Sequence, residues 1–348
     1  MATQRIITGE ALNDAEERFN NSLRPTTLAD YVGQPRLTQK LSITLEAVRQ
    51  RGEPMEHVLL HGPPGLGKTT LSHIIANELG THLTVTSGPA MTKPADLVGV
   101  LTKLQSRDVL FIDEIHRLSP VIEEYLYSAM EDFKIDVPID SGMHAKVITL
   151  PLQPFTLIGA TTRAGLLSGP MRSRFGITHN LEFYSTKDLC SIINRSANLL
   201  KLSALSDASL ESIGSRSRGT PRIANRLLRR VRDYAQIKKG NIISPAVITE
   251  ALELEGVDEL GLDDLDRKYM AIIGTVYEGG PVGLEAIAAT LGEDSGTLED
   301  MVEPYLLQLG FLARTRKGRQ LTLRGAQHIK INLPKNSDQA EASDTPLF

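Results

Sequence analysis

The stretch GPPGLGKT at 62–69 places three glycines, a lysine and a threonine in the pattern G-x-x-x-x-G-K-[ST]. An apolar run, HVLLH (57–61), precedes it, and a helical pattern, TTLSHIIANEL, follows. That strand–loop–helix setting is what the pattern needs to cradle phosphates. Gly62, Gly65 and Gly67 let the backbone wrap close to phosphate oxygens, where a Cβ would clash. The loop N–H groups and the helix N-terminus supply positive partial charge. Lys68 reaches the β- and γ-phosphates as a point charge, and the Thr69 hydroxyl ligates Mg²⁺. Thr70, one residue deeper, faces the α/β-phosphates. The chemistry implied is ATP bound with Mg²⁺.

The second half of such a site is VLFIDE, residues 109–114. An apolar strand ending in two carboxylates puts Asp113 at the strand's C-terminal edge, beside the phosphate loop. Asp113 then holds Mg²⁺ through its water shell, and Glu114 acts as general base on the attacking water. A protein that only binds nucleotide has no need of that base, so the pair points to an ATPase. Thr162 ends another apolar strand and is placed to hydrogen-bond the γ-phosphate or the water. Arg174, in PMRSRFG, is the candidate arginine finger, with Arg172 as its competitor two residues away.

These residues need a layered scaffold. The apolar runs 57–61, 82–87, 108–113 and 155–162 alternate with amphipathic helices, as in a parallel sheet covered on both faces. The fold class is α/β. The expected order is a mobile N-terminal arm (1–20), a large ATPase domain (21–184), a small helical lid domain (185–256), a winged-helix head domain (257–332) and a disordered tail (333–348). The acidic stretch 250–266, with eight carboxylates and no Lys or Arg, reads as a helix end running into an interdomain linker. Segment 134–153 alternates apolar and polar residues around Ser141 and Gly142, which is a β-hairpin signature. An exposed apolar hairpin would dock a partner.

The net charge of −4 and a pI near 6.1 argue against a generally basic nucleic-acid binder. No apolar run is long enough for a membrane span, and no signal peptide is evident at the N-terminus, so the setting read from the sequence is cytoplasmic. The single cysteine, Cys190, reads as a small buried hydrophobe. The eight histidines fall in no metal-ligand spacing.

Local charge tells more than the total. Residues 311–330 carry six Lys/Arg (Arg314, Arg316, Lys317, Arg319, Arg324, Lys330) and no Asp or Glu, on the predicted wing hairpin. The preceding helix, TLEDMVEPY, carries Glu299, Asp300 and Glu303, which would be repelled by phosphates if they faced DNA. The reading is therefore wing-led, sequence-independent contact with double-stranded DNA. The helix RIANRLLRRVRDYA (222–235) pairs its arginines with a stripe of Ile223, Leu227, Leu228 and Val231, and reads as a packed lid helix rather than a DNA contact.

Taken together, LRPTTLADYVGQ (23–34), GPPGLGKTT (62–70), DVLFIDEIHRLSP (108–120), AMEDF (129–133), FTLIGATTRAGLL (155–167), RGTPRIANRLLRRVRDYA (218–235), GGPVGL (279–284) and EPYLLQLGFLART (303–315) resemble the AAA+ ATPases and, within them, the RuvB family. The resemblance runs from about Leu23 to Ile331. It implies ATP-driven branch migration of Holliday junctions by a hexameric ring, in recombination, repair and the SOS response. A RuvA-like partner would dock on hairpin 134–153, and a junction resolvase would share the assembly. It implies that Leu23 and Arg24 frame the nucleotide and that Glu131, Asp132 and Phe133 lie near it. Thr162 would be sensor 1, Arg174 the finger reaching a neighbour's ATP, Tyr184 a pocket residue and Arg222 sensor 2. Arg314 and Arg319 match the family's DNA contacts.

DEIH at 113–116 also fits the DExH box of two-lobed helicases, but no second lobe follows. Another AAA+ role, such as clamp or initiator loading, is the alternative that the sequence leaves open.

Overall fold

The computed structural model describes Ile7 and residues 21–138 and 147–333. Of these, 21–248 form one unit, and 249–333 form a second together with Ile7.

The first unit opens with α1 (Pro35–Arg51), β1 (Val58–His61), α2 (Lys68–Leu79), β2 (Leu83–Ser87), α3 (Pro94–Leu101), β3 (Val109–Asp113) and α4 (Pro120–Glu131). It continues with β4 (Lys134–Pro138), β5 (Val147–Pro151), β6 (Thr156–Thr161), α5 (Gly169–Ser173) and β7 (Ile177–Asn180). Five strands make a parallel sheet in the order β2-β3-β6-β1-β7. The four apolar runs are β1, β2, β3 and β6, each within a residue of the expected span. Every residue of β6 is buried, as are the first four of β3, which is what central strands sandwiched between helices require. Under them lies a core of Leu110, Ile112, Ile122, Leu126, Phe155 and Leu157.

The fifth strand, β7, lies beyond the four that the apolar runs predict. Its sequence, ITHN, has no apolar run, because it is an edge strand paired only with β1 and half exposed. Pairing β6 between β3 and β1 brings three strand C-termini to one edge of the sheet. His61 is level with Thr161, and Ile112 is level with Gly159. The residues just past those ends are the P-loop, Glu114 and Thr162. The topology thus gathers the chemistry, at the carboxyl edge where open α/β sheets bind ligands.

The strands β4 and β5 pair antiparallel outside this sheet, Lys134 opposite Pro151 and Pro138 opposite Val147. The hairpin expected over 134–153 is present; its turn at Ser141 and Gly142 lies outside the described residues.

Helices α6 (Thr186–Leu199), α7 (Asp207–Ser215), α8 (Pro221–Lys238) and α9 (Pro245–Leu254) follow. Ile223, Leu227, Leu228 and Val231 of α8 are buried, and so is Arg226, as a packed lid helix demands. Cys190, expected to be buried, is only half-buried.

The second unit contains α10 (Asp264–Thr275), α11 (Leu284–Leu291), α12 (Glu303–Gln308), β8 (Leu312–Thr315), β9 (Gly318–Leu321) and α13 (Leu323–His328). Tyr269, Ile273, Leu298, Val302, Leu306, Phe311 and Leu321 form its core. Just before α12, residues Leu298–Val302 wind as a π-helix. Pro304 supplies the reason: it has no N–H to donate back, and its ring crowds the preceding turn. The acidic stretch 250–266 starts as the end of α9 and runs on to α10, as expected of a helix end passing into a linker, and that linker is folded. Leu262 and Asp266 are fully buried, and Asp263 and Asp266 form a reciprocal capping box on α10. Asp258 accepts the N–H groups of Leu260 and Leu262.

Of the expected N-terminal arm only Ile7 is described, and it is buried. Of the expected tail only Leu333 is described, and it packs on the second core.

Candidate nucleotide site and the wing

The P-loop runs from β1 into α2. Gly62, Gly65 and Gly67 all have positive φ, at 134°, 79° and 102°. A Cβ on Gly62 would sit 2.6 Å from the Leu181 carbonyl oxygen, so the loop entrance admits no side chain. Lys68 is the first residue of α2 and is buried, with Nζ donating to the carbonyls of Gly62 (2.7 Å) and Pro63 (2.9 Å). Burial pushes its ammonium down to about 8, with Asp113 and Glu114 opposing the shift and Arg222 adding to it.

Around the loop is a cavity of about 320 Å³ lined by Leu23, Arg24, Gly65, Gly67, Lys68, Thr69, Thr70, Asp113, Glu114, Thr162, Tyr184 and Arg222, among others. Twelve residues predicted from separate stretches therefore converge on one chamber. Glu114 has a left-handed backbone (φ 48°, ψ 44°), unusual for a side chain this large, which turns the chain sharply after β3. The Thr162 hydroxyl donates to Glu114 Oε2 at 3.4 Å.

Four predicted nucleotide residues are not in the chamber wall of their own chain: Glu131, Asp132, Phe133 and Arg174. Arg174 Nη2 instead donates to Glu131 Oε2 at 3.0 Å. For Arg174 this matches a finger expected to reach a neighbour's ATP; Glu131, Asp132 and Phe133 lie away from their own chamber because α4 ends at Glu131 and its end meets α5 rather than the P-loop. Gly62 also stays out of the wall, offering its carbonyl to Lys68.

The chamber includes residues that the sequence reading missed: Tyr31, Val32, Ile192, Arg195, Pro221 and Asn225. The hydroxyls of Tyr31 and Tyr184 meet at 2.7 Å, and Tyr184 donates to the Leu66 carbonyl at 3.1 Å. Burial pushes the Tyr184 phenol up to about 12, and raises Tyr31 well above its ordinary value. Arg195 donates to the carbonyls of Asp30 (2.7 Å) and Leu23 (3.2 Å), tying α6 to the segment before α1. The signal for Tyr31 was present in ADYVGQ, an aromatic two residues before a glycine; Ile192 and Arg195 gave none beyond helix period.

Family models for the RuvB P-loop domain (described as that of a Holliday junction DNA helicase), the RuvB AAA lid domain and the RuvB C-terminal winged-helix domain match residues 23–181, 184–258 and 259–330. The chain belongs to the RuvB family. A solved structure titled as the Thermotoga maritima RuvB Holliday junction branch migration motor shares 51% identity, covering 90% of this chain and 100% of that one, with a TM-score of 0.81. A lysine-to-arginine variant of Thermotoga maritima RuvB matches at 51% identity, over 90% of this chain and 99% of that one, with a TM-score of 0.82. The architecture expected for the RuvB family is thus present: an α/β P-loop ATPase domain, a helical lid and a winged helix.

In the winged-helix unit, β8 and β9 form the wing, and Arg314 faces Arg319 across it. Both arginines are ion-paired. Arg314 Nε donates to Glu303 Oε2 at 2.6 Å, and Arg319 Nε to Glu303 Oε1 at 2.8 Å. Glu299 lies 3.6 Å from an Nη of each. Glu303 is fully buried and also accepts the Tyr269 hydroxyl at 2.6 Å. Glu303 thus points inward, under the wing, which agrees with a helix that does not present its carboxylates to phosphates. The wing-tip cations Arg316 and Lys317 are exposed and make no ion pair among the described residues.

Proposed function

We propose that this chain hydrolyses ATP to drive branch migration of Holliday junctions. The observation that carries the reading is the meeting of Lys68, Thr69, Asp113, Glu114, Thr162 and Arg222 in one chamber of a RuvB-family chain. Mg²⁺ keeps several waters and takes few protein ligands beside phosphate, so a hydroxyl and one carboxylate suit it. Thr69 would bind it directly and Asp113 through water; the ion would neutralise charge building on the phosphates. Among the described residues there is no cluster of three or more His, Cys, Asp or Glu to hold a metal otherwise. Glu114 takes the proton of the attacking water, with Thr162 orienting it. Arg222, at the start of α8, links the lid to the γ-phosphate.

The placement of Arg174 beside Glu131, outside its own chamber, favours action on a neighbour's ATP. Glu131, Asp132 and Phe133 would share that inter-subunit role. A finger acting in trans needs a ring, and the hexamer is part of this reading. The β4–β5 hairpin exposes Val147 and Ile148, apolar side chains suited to a RuvA-like partner, with a junction resolvase in the same assembly. The wing, through Arg314 and Arg319, would contact duplex phosphates of the four-way junction. No helix among the described residues is long and apolar enough to cross a membrane, and a cytoplasmic role in recombination, DNA repair and the SOS response completes the reading.

The test is ATP-driven movement of synthetic four-way junctions by the full chain, with and without a RuvA-like protein. Junction movement that requires ATP and the P-loop lysine supports the reading. ATP hydrolysis without any junction movement in the partner's presence would overturn it.

A further inference from the structure

His116 stands beside the proposed base, on a turn that is held from both sides after β3. A Cβ on Gly88 would meet the Glu114 carbonyl oxygen at 2.4 Å, and one on Gly159 would meet the buried Ile115 side chain at 3.0 Å. The backbone of Glu114 is therefore fixed by close packing, and what remains adjustable is its side chain. The short helical turn Ile115–Arg117 then carries His116 back toward the end of β6.

There the His116 side chain is 8% exposed, and its Nδ1 lies 3.3 Å from Glu114 Oε2. The same nitrogen lies 2.9 Å from the Thr161 hydroxyl. Thr161 Oγ1 also accepts the Arg163 N–H at 3.0 Å, which fixes the hydroxyl against the backbone. At the end of β6, Glu114 Oε2 thus meets Thr162 at 3.4 Å and His116 at 3.3 Å. One ring nitrogen, Nδ1, thus faces both the Thr161 hydroxyl and the carboxylate, and Thr161 fixes where that nitrogen stands. Supporting contacts of this kind hold a catalytic group in its working geometry.

We infer that His116 is a positioning residue for Glu114: it steers the carboxylate toward the end of β6, so that the base meets the attacking water in a fixed orientation. The inference rests on the reading of Glu114 as general base. An ångström of misplacement in such a group costs on the order of 10²-fold in rate while leaving substrate binding alone. The ATP-binding surfaces (the P-loop, Tyr184, Arg222) do not depend on His116, so the cost should fall on kcat.

The experiment compares full-length His116→Leu, His116→Asn and Glu114→Gln, and the Glu114→Gln/His116→Leu double variant, in DNA-independent ATP hydrolysis and in binding of a non-hydrolysable ATP analogue. Asn places an N–H near the position of Nδ1, whereas Leu fills similar space without one. The expected result is a kcat roughly 10-fold to 100-fold lower in His116→Leu. Analogue affinity should stay within about 2-fold, because a factor that small is under 0.5 kcal/mol. His116→Asn should recover most of the rate. The double variant should be no slower than Glu114→Gln, because two residues acting through one group are not additive. Parental kcat in His116→Leu, or a loss that Asn fails to rescue and that extends to analogue binding and melting temperature, would overturn the inference and leave His116 as packing. If instead Glu114→Gln itself hydrolysed ATP at the parental rate, the base reading would fail first, and the inference with it.

Discussion

The guanidinium of Arg174 donates to Glu131 of its own chain, Nη2 to Oε2 at 3.0 Å. It also lies 4.3 Å over the ring of Tyr127 and donates to the Pro170 carbonyl at 2.8 Å. Glu131 is largely exposed, and an exposed pair contributes only about 0.2–1 kcal/mol. The contact therefore orients the arginine at a cost small enough for the proposed role on a second subunit. Arg172, by contrast, braces its own loop, donating to the Ala164 carbonyl at 2.8 Å.

Arg174→Ala should thus leave nucleotide binding nearly intact and abolish hydrolysis by the assembled protein. Mixing it with an equal amount of Lys68→Ala protein should restore part of the activity, since an intact finger can then face an intact P-loop. Steady-state ATPase on the mixture reads this directly. Full activity in Arg174→Ala with loss in Arg172→Ala would exchange the two assignments.

Glu114→Gln should bind ATP and hydrolyse it about 10²–10⁴-fold more slowly, the usual contribution of a positioned general base. Lys68→Ala should fail earlier, at binding itself, because it removes the buried cation of the P-loop. Equilibrium binding of an ATP analogue separates the two, and parental turnover in Glu114→Gln would show that another group takes the proton.

The phosphate site was legible because its parts are encoded locally: glycines where the loop turns, a lysine and a threonine at a helix start, carboxylates at a strand end. Each stretch is short, and the parallel sheet brings the strand ends together. Where the reading failed, distant packing decides. Nothing local in ITHN marks an edge strand, because its partner β1 lies more than a hundred residues away in sequence. Nor does the helix that carries Glu303 show what neutralises it, because Arg314 and Arg319 come from the wing. Ile192 and Arg195 reach the chamber from a lid helix whose period gives its buried face but not what that face meets.

Lys68 also sets a pH dependence. Burial holds its pKa near 8 instead of the ordinary 10.5, so above pH 8 the nucleotide-free chamber presents a neutral amine. Phosphates favour the ammonium, so ATP binding in that range takes up a proton and weakens as pH rises, by up to about tenfold per pH unit. Below about pH 8 the lysine is already charged, and affinity should be flat. Lys68→Arg keeps its charge throughout and should show no such slope. Analogue titrations from pH 7 to roughly 9.5 check this, within the range where the lysine titrates. A flat parental curve would show that the free chamber keeps its lysine protonated.

Arg314 and Arg319 both pair with Glu303 beneath the wing. Removing Arg319 leaves that buried carboxylate with one cation fewer, at a cost of about 2–3 kcal/mol to the winged helix. Arg314 is the more exposed of the two arginines, and Arg316 and Lys317 at the tip support nothing beneath them. If the wing lies against phosphates, Arg314→Ala and the double change Arg316→Ala/Lys317→Ala should weaken binding equally for unrelated duplexes. The slope of log K against log[salt] should become shallower by roughly 0.9 for each phosphate that the variant no longer neutralises on each engaged subunit. DNA-independent ATP hydrolysis should stay near the parental rate, because no wing residue lines the nucleotide chamber. Stimulation by DNA and junction movement should both fall. Thermal melting separates the structural effect from the electrostatic one: Arg319→Ala should melt early, and the tip variant should melt with the parent. A tip variant and an Arg314→Ala variant that both kept the parental salt slope on two unrelated duplexes would show that the wing's cations serve the fold, neutralising Glu299 and Glu303, and that DNA is held elsewhere.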